Sequence, residues 1–175
     1  MKNLGQAVVQ LLRCVLYVGV YIGLVYRLVL FEAGWCFLYL GFLLFLPLAT
    51  PIVVQLLLAF GIGLTVDICF DTSGLHAAAA VLLAFARPWV LRLLTPRDGY
   101  DAQDSANIHQ MGGQWFAVYL GLLLLIHHTA FFVLELGSFR HFGLTLVKIG
   151  ASFAFTSVAL LIVQLLFFSQ RSGRG

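Results

Sequence analysis

Charge is what this sequence has least of. Only 10% of its 175 residues are Asp, Glu, Lys or Arg, whereas an average soluble domain has about 25%. With so few charges and 62% hydrophobic residues, a soluble fold could not cover its surface, so lipid must be the solvent for much of the chain. Cysteine is sparse as well. Cys14, Cys36 and Cys69 stand singly, and an odd count without paired spacing argues against a disulfide framework or a zinc site. The net charge of +3 is weak, and no basic run is interleaved with aromatics, which gives no reason to expect a nucleic-acid partner. A cleavable leader is not legible either. The first residues lack its charged, apolar and small-residue regions, and the apolar run continues too far, so the first helix is read as retained. Nucleophile motifs of the Gly-x-Ser-x-Gly kind are missing. Gly61-x-Gly63 lacks the strand-turn-helix setting of a nucleotide loop. No cofactor and no catalytic residue is assigned. There is no internal repeat and no low-complexity linker, so residues 1–175 read as one domain.

What the chain does have is long apolar runs. A spanning helix needs about 20 apolar residues. On that measure the fold class is all-α, a polytopic membrane protein with about six transmembrane helices. They are expected near 7–30, 33–46, 51–69, 74–94, 114–136 and 142–168. The stretch 33–66 holds no charge and is too long for one crossing, and Pro47 and Pro51 break it. The resulting second helix is marginal for a full crossing or else re-entrant. Asp71, Thr72 and Ser73 are candidate N-caps for the fourth helix. Pro88 should kink that helix or end its straight part, and 89–94 reads as an interfacial segment anchored by Trp89. Residues 95–113 form the one long polar loop. Positive residues set the orientation. Lys2, Arg92, Arg97, Arg171 and Arg174, with Arg87 nearby, fall on one side; Arg27, Arg140 and Lys148 fall on the other. The bias puts both termini and the 95–113 loop in the cytoplasm.

Ionisable groups inside a membrane are where function should be sought. Asp67 and Asp71, spaced i, i+4, share a face if their helix continues, and His76 in the next helix can return beside them. Capping and turn hydrogen bonds, a partner contact and a divalent-cation site all suit this set, in falling order. His127 and His128 lie inside the fifth helix, with Glu135 seven residues beyond His128 on the same face. Structural pairing, with Glu135 meeting Arg140 or Lys148, competes there with partner contact and proton transfer. Arg87, Arg92 and Arg97, beside Trp89, read as an orientation signal or as a contact for lipid head groups or a cytoplasmic partner. Small-residue pairs at Gly19 and Gly23, Gly61 and Thr65, and Ala80 and Ala84 suit close helix packing, within the bundle or against a foreign helix.

The pattern Gly63-Leu64-Thr65-Val66-Asp67 followed by Gly74-Leu75-His76-Ala77 resembles the family of the rod shape-determining protein MreD. Residues 87–100 and the stretch from His127-His128 to Glu135 are similar to one branch of it, so the resemblance covers essentially the whole chain. Many relatives carry Pro just before Gly-Leu-His, where this chain has Thr72-Ser73. The resemblance implies a fold similar to the substrate-binding S component of energy-coupling-factor vitamin transporters. It also implies a non-enzymatic scaffold for cell shape and peptidoglycan biosynthesis, located in the bacterial cytoplasmic (inner) membrane. The implied partners are an MreC-like single-pass protein, a RodA-type glycosyltransferase with its transpeptidase and, indirectly, an MreB-like filament. The alternative is a small-molecule, vitamin-like binding subunit of a transporter.

Overall fold

The computed structural model describes residues 2–23, 29–30, 33–101, 104–136 and 142–167. Arg27, Arg140, Arg171 and Arg174, used above for orientation, lie outside them. The order is α1 (Lys2–Gly23), β1 (Val29–Leu30), β2 (Gly34–Trp35), α2 (Leu40–Leu44), α3 (Ile52–Phe70), α4 (Leu75–Leu93), α5 (Ile108–Met111), α6 (Gly113–Glu135) and α7 (Phe142–Phe167). Among the described residues, α3, α4, α6 and α7 are long and apolar enough to cross a membrane, and Val8–Gly23 of α1 is a shorter apolar stretch. The protein is an all-α membrane protein.

Two of the expected helices differ. The first does not reach residue 30. Its described part is Lys2–Gly23, and Val29–Leu30 pairs antiparallel with Gly34–Trp35. The second, expected over 33–46, is not a helix along its length; only Leu40–Leu44 is helical. Gly34 and the alternating Trp35 and Phe37 favour extended backbone over helix ahead of that turn. Irregular backbone at membrane depth must be enclosed by protein, and this segment is: Cys36, Phe37 and every residue from Tyr39 to Leu46 are buried. Its amide groups are met by side chains of α7. Trp35 N–H donates to Ser152 Oγ at 2.9 Å and Phe37 N–H to Thr156 Oγ1 at 3.0 Å. The segment ends against the polar loop, where Pro47 bridges Ser105 and Leu48 N–H donates to the Asp104 carbonyl.

α3 and α4 pack as a close antiparallel pair. Ala59, Ile62, Gly63 and Val66 face Ala77, Ala80 and Ala84, all buried. A methyl group at Gly63 would overlap the Ala77 backbone, so the spacing of the two helices depends on that glycine. α4 runs through Pro88 to Leu93. The 95–113 loop is not wholly irregular, since it holds α5, N-capped by the Asn107 side chain. Burial pushes the Tyr100 phenol above its usual pKa, against the opposing hydrogen bond from the Trp115 indole.

Candidate functional site

At the end of the bundle away from the 95–113 loop, α3 turns into α4 through four residues. Asp71 closes α3 in the left-handed conformation at φ 54°, Ser73 follows at 52°, and Gly74 takes φ 90° at the N-cap of α4. Gly74 brings no side chain to cap the new helix. The cap comes from the preceding helix instead. Asp67, 4% exposed, accepts the His76 N–H at 3.0 Å on one carboxylate oxygen and the Ala77 N–H at 2.9 Å on the other. The Thr72 hydroxyl donates to the same carboxylate. This satisfies two orphan donors and sets a negative charge at a helix N-terminus. The expectation that Asp71, Thr72 or Ser73 caps α4 is therefore corrected. Asp71 is exposed on the turn, because the chain leaves the helical path at that residue and its side chain no longer shares the Asp67 face.

His76 enters the bundle. The Tyr39 hydroxyl of the irregular segment lies 3.1 Å from His76 Nδ1 and 3.2 Å from His127 Nε2. One hydroxyl has one proton, so it donates to one imidazole and accepts from the other. His127 Nδ1 is buried without a partner, and a bare lone pair is more tolerable than a bare N–H. The consistent order is His127 Nε2–H to Tyr39 oxygen, and Tyr39 O–H to His76 Nδ1. Beside it, His128 Nδ1 meets the Leu124 carbonyl at 2.7 Å, so Nδ1 carries the proton and Nε2 accepts from Thr156, 3.2 Å away. Phe37 packs edge-on against both histidines of α6. One tyrosine and one threonine thus set the tautomers of three histidines, with His127 Nδ1 left as the bare lone pair.

The set does not extend to the other acids. Glu135 is paired with Lys148 at 2.9 Å near the surface, and the Lys148 ammonium also sits 5.2 Å from the Trp35 ring centre. Among the described residues no group of three His, Cys, Asp or Glu is placed to hold a metal ion.

Arg87 departs furthest from expectation. It is not at a surface; its exposure is 0%. Nε donates to the Tyr119 hydroxyl at 2.7 Å and Nη2 to the Leu46 carbonyl at 2.6 Å, while Tyr119 donates to the Leu44 carbonyl at 2.8 Å. The Tyr119 hydroxyl and the Leu46 carbonyl, just past α2, thus take the place of a counter-ion. No carboxylate pairs with Arg87 among the described residues. Position in sequence could not reveal this, because the carbonyl that receives Arg87, that of Leu46, belongs to a segment expected to be helical. Arg92, by contrast, is exposed and lies 5.2 Å over the Trp89 ring, as an interfacial residue should. Tyr39, Tyr119, Ser152 and Thr156 were not among the sequence candidates. A signal existed for the last two: Thr145, Ser152, Thr156 and Gln164 recur on one buried face of an otherwise apolar helix.

No protein-family model, no curated protein and no solved structure matches the chain at a significant level.

Proposed function

We propose that this chain is a non-enzymatic membrane scaffold of the bacterial wall-elongation machinery, an MreD-like protein that maintains rod shape by binding an MreC-like single-pass partner. The observation that carries this reading is the α3–α4 corner. The residues that define the resemblance each have a geometric task there. Gly63 lets Ala77 approach, Asp67 caps α4, Gly74 adopts positive φ, and His76 joins the polar core. A motif spent on shaping a corner suits a scaffold. The RodA-type glycosyltransferase and its transpeptidase would supply the chemistry, and the MreB-like filament would be reached through the complex. In this reading the irregular 33–48 segment counts as the second of six passes, the membrane is the cytoplasmic one, and both termini are cytoplasmic. The exposed turn at Asp71 then faces outward. Arg92 and the loop beyond it face the cytoplasm, where Arg87, being buried, makes no contact.

The alternative, a vitamin-binding subunit with the energy-coupling-factor S-component fold, needs an internal pocket. The burial of residues 39–46 inside the bundle weighs against it. Affinity purification of the tagged chain from detergent tests the scaffold reading. An MreC-like single-pass protein should co-purify in defined stoichiometry, and depletion should round the cells. Recovery of the chain alone, with cell shape unchanged after depletion, would overturn the proposal.

A further inference from the structure

In the loop-side half of the α3–α4 pair, two buried side chains each carry a polar atom with no hydrogen-bond partner among the described residues. They are Arg87 Nη1 and Gln55 Oε1, on residues 0% and 3% exposed. An unmet buried polar atom costs free energy, so native interiors meet it with protein groups or with ordered water.

The register of the two helices brings these atoms to one level. Gly63 lies against the Ala77 backbone, which fixes the height of α3 against α4. Gln55 is eight residues before Gly63, and Arg87 is ten residues after Ala77. At roughly 1.5 Å per residue, their Cα atoms stand about 12 and 15 Å from that contact, both toward the loop. Helix side chains lean toward their own N-terminus. Gln55 therefore leans toward the loop and Arg87 away from it, which closes the remaining difference. Both continue the buried stripes through which the helices meet, Gln55 in line with Ala59 and Arg87 with Ala84. Both also reach one short turn. Arg87 Nη2 donates to the Leu46 carbonyl and Gln55 Nε2 to the Thr50 carbonyl, each at 2.6 Å, and the Thr50 N–H closes that turn on the Pro47 carbonyl.

The two unmet atoms select their ligand by chemistry. Nη1 is a donor. Gln55 Nε2 is already spent on Thr50, so Oε1 stands as an acceptor. A water molecule accepts from the first and donates to the second, and its other hydrogen can use a second lone pair of a carbonyl in the turn. A chloride would suit the guanidinium, which faces no carboxylate among the described residues. It would, however, meet the lone pairs of Oε1.

We propose that the loop-side end of the α3–α4 pair binds an internal water molecule, which accepts from Arg87 Nη1, donates to Gln55 Oε1 and ties both helices to the 46–50 turn. The site does not depend on the scaffold reading.

The test is a crystal structure of the full-length chain, grown from a lipid mesophase at a resolution that shows ordered water. One solvent peak is expected within about 2.7–3.2 Å of both atoms. Gln55→Met should lose the peak while Arg87 keeps Tyr119 and Leu46, and its melting temperature in detergent should fall by a few degrees. Gln164→Met, at the other buried glutamine, should leave the peak in place. A bromide soak separates water from chloride, because only a halide site would gain an anomalous signal. If Gln55→Met does not fold, the map of the unchanged chain and the soak carry the test. A direct Arg87–Gln55 hydrogen bond without a solvent peak would overturn the proposal. So would a peak that survives Gln55→Met, or one that bromide replaces.

Discussion

Single side chains do much of the structural work here, because a buried polar group in lipid has few substitutes. Asp67 is the clearest case. Its carboxylate replaces water for two amide donors at the start of α4, so Asp67→Ala leaves both unpaired. A lost cap of this kind costs about 1–2 kcal/mol, and an unsatisfied buried donor about 1–3 kcal/mol. The expected result is a clear drop in melting temperature in detergent, with Asp67→Asn restoring part of it. A melting temperature unmoved by Asp67→Ala would show that water replaces the cap. Arg87 makes a second prediction. Arg87→Met removes the donor to the Leu46 carbonyl and one of the two bonds of the Tyr119 hydroxyl, and a buried acceptor left unpaired costs about 1–3 kcal/mol. Arg87→Lys should recover only part, because one ammonium cannot reproduce the fork that reaches Tyr119 and Leu46 together. Equal melting of Arg87→Lys and the unchanged protein would refute the bidentate role. Legibility at this scale was uneven. Asp67 and His76 were readable as a corner, and His127 and His128 as buried. The partner that joins His76 to His127, Tyr39, was not readable, since it sits in a segment whose backbone was expected to be helical.

At the scale of elements, long apolar runs bounded by proline, glycine or acid marked α3, α4, α6 and α7 nearly to the residue. There length and composition decide the outcome, because a helix satisfies its own backbone in lipid. The same logic misjudged 33–46. Apolarity reports burial, and burial is shared by a spanning helix and by an irregular segment enclosed by helices. What distinguishes them is whether another element offers partners for the free amides, and that is a tertiary fact. α7 offers them through Ser152 and Thr156, one turn apart. Replacing both, Ser152→Ala with Thr156→Val, should leave the Trp35 and Phe37 N–H groups bare. Each orphaned donor costs about 1–3 kcal/mol, so the irregular segment should loosen before the bundle does. Hydrogen–deuterium exchange would detect this as faster exchange over 33–48 with α3 and α4 still protected. Uniform protection across both regions would mean that the hydroxyls contribute nothing to holding the segment.

For the whole molecule, the cysteines offer a direct probe of which way the bundle faces. Cys69 is exposed near the end of α3, whereas Cys36 is buried and Cys14 half-buried. Asp98 is exposed in the polar loop beyond α4. One apolar helix, α4, separates the two positions, so they must lie on opposite sides if α4 crosses. The proposed scaffold reading, following the positive residues, has the loop inside. A membrane-impermeant maleimide added to intact cells should therefore label Cys69. In an Asp98→Cys variant of a Cys69→Ala chain it should label only after permeabilisation. The reverse pattern would invert the bundle and place the Asp71 turn in the cytoplasm, away from any partner domain outside. Labelling of both positions from one side would mean that α4 does not cross. The exposed Asp71 corner can meet an extracytoplasmic domain only if the labelling follows the first pattern. That result therefore decides whether the corner that motivates the scaffold reading stands where a wall-synthesis partner can reach it.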